Sequence, residues 1–276
     1  MRICGVGDNV IDRYLHCGQM FPGGNALNFA VFARQAGAHA AYLGVTGNDI
    51  PAGVIHHALC TEAVDISRLR INQSFNALSQ IDLDDEGNRF FVGSVPPPYQ
   101  LQLNDDDLKW LQGFDLLHTS DYSQIEKQLP ALAACAPLSF DFGSRDDAWA
   151  EPLLRWVQVA TFSRSGSSPG EAGRLIEKAH AAGVATVLIT QGADGALISH
   201  QGERYYQPAL AANVVDTLGA GDAFIATLLV ALGQDHSLAE AALKAAQASG
   251  RVCERLGAFG CGVPLTPLPP QVKQQH

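Results

Sequence analysis

The feature that most limits the fold of this chain is a regular alternation of short, mainly apolar runs with longer helix-forming stretches. The runs at 3–7, 40–45, 116–119, 138–142, 157–162 and 184–190 have the length and continuity of parallel strands covered on both faces. Helical patterns follow or separate them at 26–36, 51–63, 105–112, 125–134, 149–156 and 170–182, and two more close the chain at 222–232 and 237–256. Repeated strand–helix units predict an α/β fold, a doubly wound and mostly parallel sheet flanked by helices. In such sheets ligands gather beyond the carboxyl ends of the strands. One domain over 1–263 is expected, followed by a Pro-rich tail, 264–276, without core periodicity.

Two pieces break the alternation. Residues 13–21 and 71–98 carry period-two patterns, as in Ala77-Leu78-Ser79-Gln80-Ile81-Asp82-Leu83. The polar turn 84–88 then leads into Arg89-Phe90-Phe91-Val92, the pattern of a hairpin. Both pieces flank the first strand–helix unit, so they can join as a small second sheet. The alternative is a plain surface hairpin. Phe90 and Phe91 put an apolar residue on each face, and each face then needs cover.

Two glycine turns carry the chemistry. In Asp216-Thr217-Leu218-Gly219-Ala220-Gly221-Asp222 a small-residue turn ends in a carboxylate and opens an apolar helix. Gly219, Ala220 and Gly221 leave the backbone N–H groups of the helix start open to an anion. Beside such a cradle Asp222 reads either as a helix N-cap or as a general base, taking a proton from an alcohol that attacks a phosphoryl group held there. Far upstream, Pro22-Gly23-Gly24-Asn25-Ala26-Leu27-Asn28 places Asn25 and Asn28 on one helical face behind a glycine pair. Glycines admit close approach of a polyhydroxylated ligand, and the Asn amides offer donors and acceptors to hydroxyls. The turn at Thr190, Gly192, Asp194 and Gly195 lets the backbone approach a phosphate or ribose.

Other classes fail at their own signatures. A formal charge of −10 without a basic cluster argues against nucleic acid as a partner. No apolar run is long enough for a bilayer, and the N-terminus reads as a first strand and not as a signal peptide. The six cysteines are scattered without metal-ligand or C-x-x-C spacing, which fits reduced thiols and a cytoplasmic protein. The sequence lacks a Walker A loop and a G-x-G-x-x-G.

Taken in this order, segments 22–30 and 216–224 resemble the signatures of the ribokinase-like (PfkB) carbohydrate kinases, and the resemblance extends to about residue 263. It implies a ribokinase-like fold whose small sheet is a lid over the sugar and often a homodimer interface. It implies ATP and Mg²⁺, with Asp222 as base and Gly219, Ala220 and Gly221 as the anion hole. Asp12, Gly23, Gly24, Asn25 and Asn28 would hold the sugar, while Asp8 either adds a contact or braces its turn. Asp141-Phe142-Gly143-Ser144-Arg145, with Trp149, is similar to the family's D-x-N-x-R…W segment, Gly143 replacing Asn. Arg145 then either faces the phosphoryl group or pairs on the surface with Asp146 or Asp147. The 190–195 turn matches the ATP loop. Glu171 matches the acid that organises Mg²⁺ through water, with Ser168 where the family has Asn. Asp216, Leu218 and Ala258 match a monovalent-cation site, for K⁺ for example, or Asp216 simply caps its turn.

Asn25 stands where ribokinases carry Lys, which argues against ribose. Gly7-Asp8-Asn9-Val10-Ile11-Asp12 and Gly23-Gly24-Asn25-Ala26 are similar to the branch that phosphorylates fructoselysine at the 6-hydroxyl. Arg89 either meets a carboxylate on such a substrate or lies on the hairpin surface. The expectation is therefore an ATP-dependent kinase for the primary hydroxyl of a fructosamine. The alternatives are a kinase for another ketose or a nucleoside, or a non-catalytic sugar-binding regulator.

Overall fold

The computed structural model describes residues 1–83 and 89–268, with backbone alone at Leu83 and Arg89. The expected turn 84–88, the Arg89 side chain and residues 269–276 lie outside the described residues.

The chain opens with β1 (Arg2–Gly7), buried after its first residue, then β2 (Val10–Tyr14) and β3 (Gln19–Gly23). Helix α1 (Asn25–Gln35), β4 (His39–Thr46), α2 (Ile50–Thr61) and the short β5 (Arg70–Ile71) follow. The hairpin β6 (Leu78–Leu83) and β7 (Arg89–Val95) comes next. Then α3 (Asp105–Leu111), β8 (Leu116–Ser120), α4 (Leu129–Cys135), β9 (Leu138–Asp141), α5 (Asp147–Ala150) and β10 (Val159–Ser163) alternate. They lead to α6 (Pro169–Ala181), β11 (Thr186–Thr190) and the hairpin β12 (Ala196–His200) and β13 (Glu203–Gln207). Helices α7 (Ala220–Leu232) and α8 (Leu238–Cys253) precede β14 (Val263–Pro264).

Two sheets result. The larger runs β13-β12-β11-β10-β9-β8-β1-β4-β5 and is parallel from β11 to β5. From β1, inside the sheet, the chain goes first to β4 on one side and later to β8 on the other. The strand order therefore reverses between β1 and β8, where the crevice of a doubly wound sheet opens. Side-chain alternation sorts the core into two layers. Ile3 packs with residues of α1, α2, α7 and α8, whereas Cys4 and Val6 pack with α4 and α6 on the other face. Burying each large aliphatic or aromatic side chain contributes about 1.5–3 kcal/mol, so both layers are strongly fixed.

The smaller sheet, β14-β3-β2-β6-β7, stands beside this frame, as the period-two patterns predict. Tyr14, Phe21 and Ile81 form its own core with Leu218 and Leu256, which lie in the turn before α7 and after α8. The sheet is thereby tied to the glycine turn of Asp216–Asp222. On β7, Phe90, Phe91 and Val92 are exposed.

Several boundaries differ from the sequence reading. The 125–134 helix begins as a 3-10 turn (Glu126–Gln128), and α4 starts where Pro130 sets its first turn. The 149–156 helix is a single turn, α5, followed by a 3-10 stretch (Glu151–Trp156) containing Pro152. The β12–β13 hairpin had no counterpart in the sequence reading; Gln201 and Gly202 close it at φ 50° and 85°, a two-residue turn with both residues left-handed. The expected tail boundary at 263/264 falls inside β14. Val263 pairs with Met20, Leu265 N–H donates to Gly18 O at 2.9 Å, and Arg13 Nη1 donates to Thr266 O at 2.8 Å. The start of the tail is thus extended along the small sheet.

Candidate active site

The site is built at the switch point, on the start of α1. Gly24, the N-cap of this helix, has φ 110° and a backbone so close to Asn9 that a Cβ would lie 2.5 Å from its Cα. Gly23 is equally constrained, because a Cβ there would lie 2.3 Å from Asp12 Oδ2. The pair therefore lets β3 turn into α1 against two neighbouring strands. Gly24 has no side chain to cap the helix, and Asp8, just after β1, supplies the missing acceptor. Its Oδ2 accepts from Asn25 N–H at 2.7 Å and its Oδ1 from Ala26 N–H at 3.2 Å. Ser120 and Ser123 hydroxyls donate to Oδ1 as well, at 3.2 and 2.7 Å. Of the two roles open to Asp8, its hydrogen bonds are those of a brace. Asn9 is likewise internal, donating to Tyr42 Oη and Val45 O.

At α7 the cap is left open. Gly219 is its N-cap at φ 79°, where a Cβ would meet that of Ala258 at 2.5 Å. The N–H groups of Gly221 and Asp222 meet no acceptor among the described residues, as the first turn of a helix leaves them. The turn beneath is held by Asp216, which is buried. The Tyr14 hydroxyl and Gly257 N–H donate to its Oδ2, and Leu218 N–H to its Oδ1 at 3.0 Å. This is the turn-capping geometry, and it joins the small sheet to the anion cradle.

Helices α1 and α7 pack together and bring Asn25, Asn28 and Asp222 to one point. Asn25 Nδ2 lies 2.9 Å from Asp222 Oδ1, and Asn28 Nδ2 lies 2.7 Å from Oδ2. Asp222 is not a helix N-cap; Gly219 holds that place. Burial pushes the Asp222 carboxyl up to about 8; Asn28 counters this, while Asp141, Asp8 and Asp12 add to it. A carboxylate with a raised proton affinity and a donor on each oxygen is suited to exchange a proton near neutral pH.

A second carboxylate, Asp141 at the end of β9, shares Asn25 Nδ2 at 2.8 Å and accepts from Thr161 Oγ1 and Gly143 N–H. Burial again raises its pKa. Arg145 reaches back from the next loop. Its Nε donates to Asp121 at 2.9 Å, its guanidinium stacks over Trp149 at 5.2 Å, and it is about half exposed. The pairing is thus with Asp121 and not with Asp146 or Asp147. Asp121 is raised to about 6, by burial first and despite Arg145. The loop carrying Arg145 is held by Arg164, which donates to Gly143 O, Arg145 O and Asp147 Oδ1. Sequence reasoning missed Asp121 and Arg164, since neither falls in a motif.

The remaining expected positions lie on other elements. Asp12 is buried on β2, against Gly23. Thr190 ends β11, and Gly192 and Gly195 turn at φ 63° and 100°. A Cβ on Gly195 would meet Gln207 O at 2.2 Å, so the turn folds tightly onto β13. Asp194 contributes its carbonyl to the Tyr206 hydroxyl. Ser168 and Glu171 form a reciprocal capping box at the start of α6, and Ser237 and Glu240 form the same box at α8. Ala258 is buried against Gly219. Among the described residues no group of three or more His, Cys, Asp or Glu is arranged to hold a metal, and no helix is long and apolar enough to cross a membrane.

Comparison with known proteins shows the family and the fold. The model of the pfkB family of carbohydrate kinases matches residues 8–264. The fructosamine kinase FrlD of Bacillus subtilis is 38% identical, over 96% of this chain and 95% of its own. The fructoselysine 6-kinase of Escherichia coli is 29% identical, over 92% of this chain and 98% of its own. Among solved structures, Arabidopsis thaliana ribokinase in complex with ribose and ATP superposes with a TM-score of 0.80 at 22% identity, each chain covered to 94%. The chain belongs to the pfkB family of carbohydrate kinases and has the ribokinase fold; it is a phosphotransferase acting on a sugar hydroxyl.

Proposed function

We propose that the substrate is a fructosamine, fructoselysine or a close relative, phosphorylated from ATP at its 6-hydroxyl. The observation that carries the chemistry is the Asp222 carboxylate, held by Asn25 and Asn28 at the open N-terminus of α7. The choice of sugar is supported by the 38% identity to a fructosamine kinase and by Asn25 in the glycine-pair motif.

In this reading Asp222 accepts the proton of the 6-hydroxyl as that oxygen attacks the γ-phosphorus in line. A positioned base of this kind typically contributes about 10²–10⁴-fold. Gly219, Ala220 and Gly221 line the cradle for the transferring phosphoryl oxygens, and Arg145 is the cation for the same charge. Asp12, Gly23, Gly24, Asn25 and Asn28 position the sugar, and Asp8 fixes the start of α1 beneath it. Thr190, Gly192, Asp194 and Gly195 form the nucleotide side. Residues 1–263, with the edge strand β14 that runs past this boundary, act as the kinase unit, with the small sheet as lid.

A divalent ion such as Mg²⁺ fits this arrangement as a companion of the triphosphate, which supplies most of its ligands. Glu171 would reach it through water: its Oε2 accepts both Ser168 bonds, and its pKa is lowered, chiefly by the Ser168 N–H. The ion would supply charge neutralisation for the phosphates. A monovalent cation beside Leu218 and Ala258 would be held by backbone carbonyls, since the Asp216 carboxylate already accepts three hydrogen bonds. The exposed Phe90, Phe91 and Val92 support a homodimer through the small sheet, which sedimentation would detect. A need for ATP and six free thiols suit the cytoplasm.

The test is ADP release with Mg²⁺-ATP over fructoselysine, other fructosamines, fructose, ribose and adenosine. Turnover strongest on a fructosamine is expected. Turnover confined to fructose, ribose or adenosine would overturn the substrate assignment and leave the kinase chemistry standing.

A further inference from the structure

We propose that His118 is a positioning residue for phosphoryl transfer: its Nε2–H fixes the orientation of the Asn25 amide, so that Asn25 presents donors, and not an acceptor, to Asp222. The proposal rests on Asp222 being the base. A side-chain amide is nearly the same shape at both ends, so its environment must decide which end faces which neighbour. One end of Asn25 lies within 2.9 Å of Asp222 Oδ1 and 2.8 Å of Asp141 Oδ2. Only the NH₂ can donate to both carboxylates when they are ionised, the state in which Asp222 acts as a base. The other end, Oδ1, then lies 2.9 Å from His118 Nε2.

For that contact to be a hydrogen bond, His118 must carry its proton on Nε2. The far side of the ring meets this condition, since Ser139 Oγ lies 3.0 Å from Nδ1 and its hydroxyl can donate there. The ring is wholly buried and burial pushes its pKa down to about 3, so it holds a single proton at working pH. Phe29 stacks on it at 3.8 Å between centroids and 13° between planes, which fixes the ring plane. The hydrogen bonds therefore run in one direction, from Ser139 to His118 to Asn25, and from Asn25 to both Asp222 and Asp141.

The backbone places these groups together. His118 sits on β8 between Gly5 of β1 and Ser139 of β9 in register. A Cβ on Gly5 would lie 2.1 Å from Ala26 O. Its absence lets the start of α1 settle onto β1, next to His118, and the same helix supplies Phe29.

A reversed Asn25 would turn its oxygen onto Asp222 and raise the cost of the ionised base. The other groups that bear on Asp222 are Asn28 of α1, Asp8 after β1, Asp12 of β2, Asp141 of β9 and Tyr122 after β8. None of these is hydrogen-bonded to His118 or stacked on it.

The test combines the ring tautomer with pH profiles of kcat/KM. Long-range ¹H–¹⁵N spectra of the intact protein should show His118 protonated at Nε2. In His118→Leu the acid limb of kcat/KM should move up by about one to two pH units, the equivalent of one lost donor to a charged group. His118→Gln, whose amide can donate to Asn25, should restore the parental limb. In an Asn25→Ala background, His118→Leu should shift the limb no further. An Nδ1–H tautomer, a parental limb in folded His118→Leu, or an undiminished shift in the Asn25→Ala background would overturn the proposal. Should His118→Leu not fold, the tautomer and the His118→Gln limb decide. A parental rate in Asp222→Asn would instead remove the base assignment itself, a separate failure with its own signature.

Discussion

Asn28 and Asp222 stand 194 positions apart in the chain and meet at 2.7 Å, amide nitrogen to carboxylate oxygen. The contact joins the two glycine motifs into one site. Asn28→Ala removes a donor to the charged form of Asp222. A hydrogen bond to a charged group contributes about 1.5–3 kcal/mol, so kcat/KM should fall about ten- to hundredfold. Asn28→Asp should lose more, since it sets a carboxylate against a carboxylate. Steady-state kinetics of the two variants checks both.

The raised pKa of Asp222 has consequences of opposite kind for activity and stability. A base must be ionised, so kcat/KM of the free enzyme should fall about tenfold per pH unit below about 8. For stability, the folded pKa exceeds the ordinary value of 3.8. The protonated carboxyl therefore contributes fully below that value, and the contribution is lost as pH rises through about 8. Asp222→Asn cannot charge. Its Tm relative to the parent should climb from pH 5 to pH 8 and level off above, as thermal melts of the ligand-free protein would record.

Arg145 is held at one side by Asp121 and on its face by Trp149. Arg145→Ala should lower kcat by about 10²–10³-fold, the typical loss of one donor to a developing charge, with little change in sugar KM. Arg164→Ala should lower kcat less, because it frees the loop without removing the cation. A KM change without a kcat change in Arg145→Ala would place it with sugar binding.

Glu171 and Glu240 cap their helices in the same way, which makes each the control for the other. Glu171→Gln and Glu240→Gln should each lower stability slightly and to a similar extent, since Gln can keep the capping box but loses the negative charge at the helix start. Only Glu171→Gln should raise the Mg²⁺ concentration needed for half-maximal rate. Titration of Mg²⁺ at fixed ATP separates the two roles.

Much of this arrangement was legible in the sequence, for reasons that differ by residue. The central strands were plain because parallel strands buried on both faces need mainly apolar runs. Asp222, Asn25 and Asn28 were visible because a glycine turn into a helix constrains its neighbours. The β12–β13 hairpin was not, since its turn residue Gln201 is an uncommon occupant of a left-handed position. Asp8 showed two roles until its partners were seen, because Ser120, Ser123 and the start of α1 reach it only through the fold. His118 and Ser139 gave no signal at all: a polar residue inside an apolar strand run betrays nothing about the neighbour it will meet. Ser168-x-x-Glu171 carried a local capping signal that needs no ligand to explain it.

The central claim is that Asp222 activates the 6-hydroxyl of a fructosamine. The most direct measurement incubates fructoselysine with Mg²⁺-ATP and locates the new phosphate by ³¹P–¹H correlation, for the parent and for Asp222→Asn. The account predicts phosphate on O6 with the parent, and a rate lower by about 10²–10⁴-fold in a variant that still binds the sugar. Phosphate on another oxygen, or a parental rate in Asp222→Asn, would contradict it.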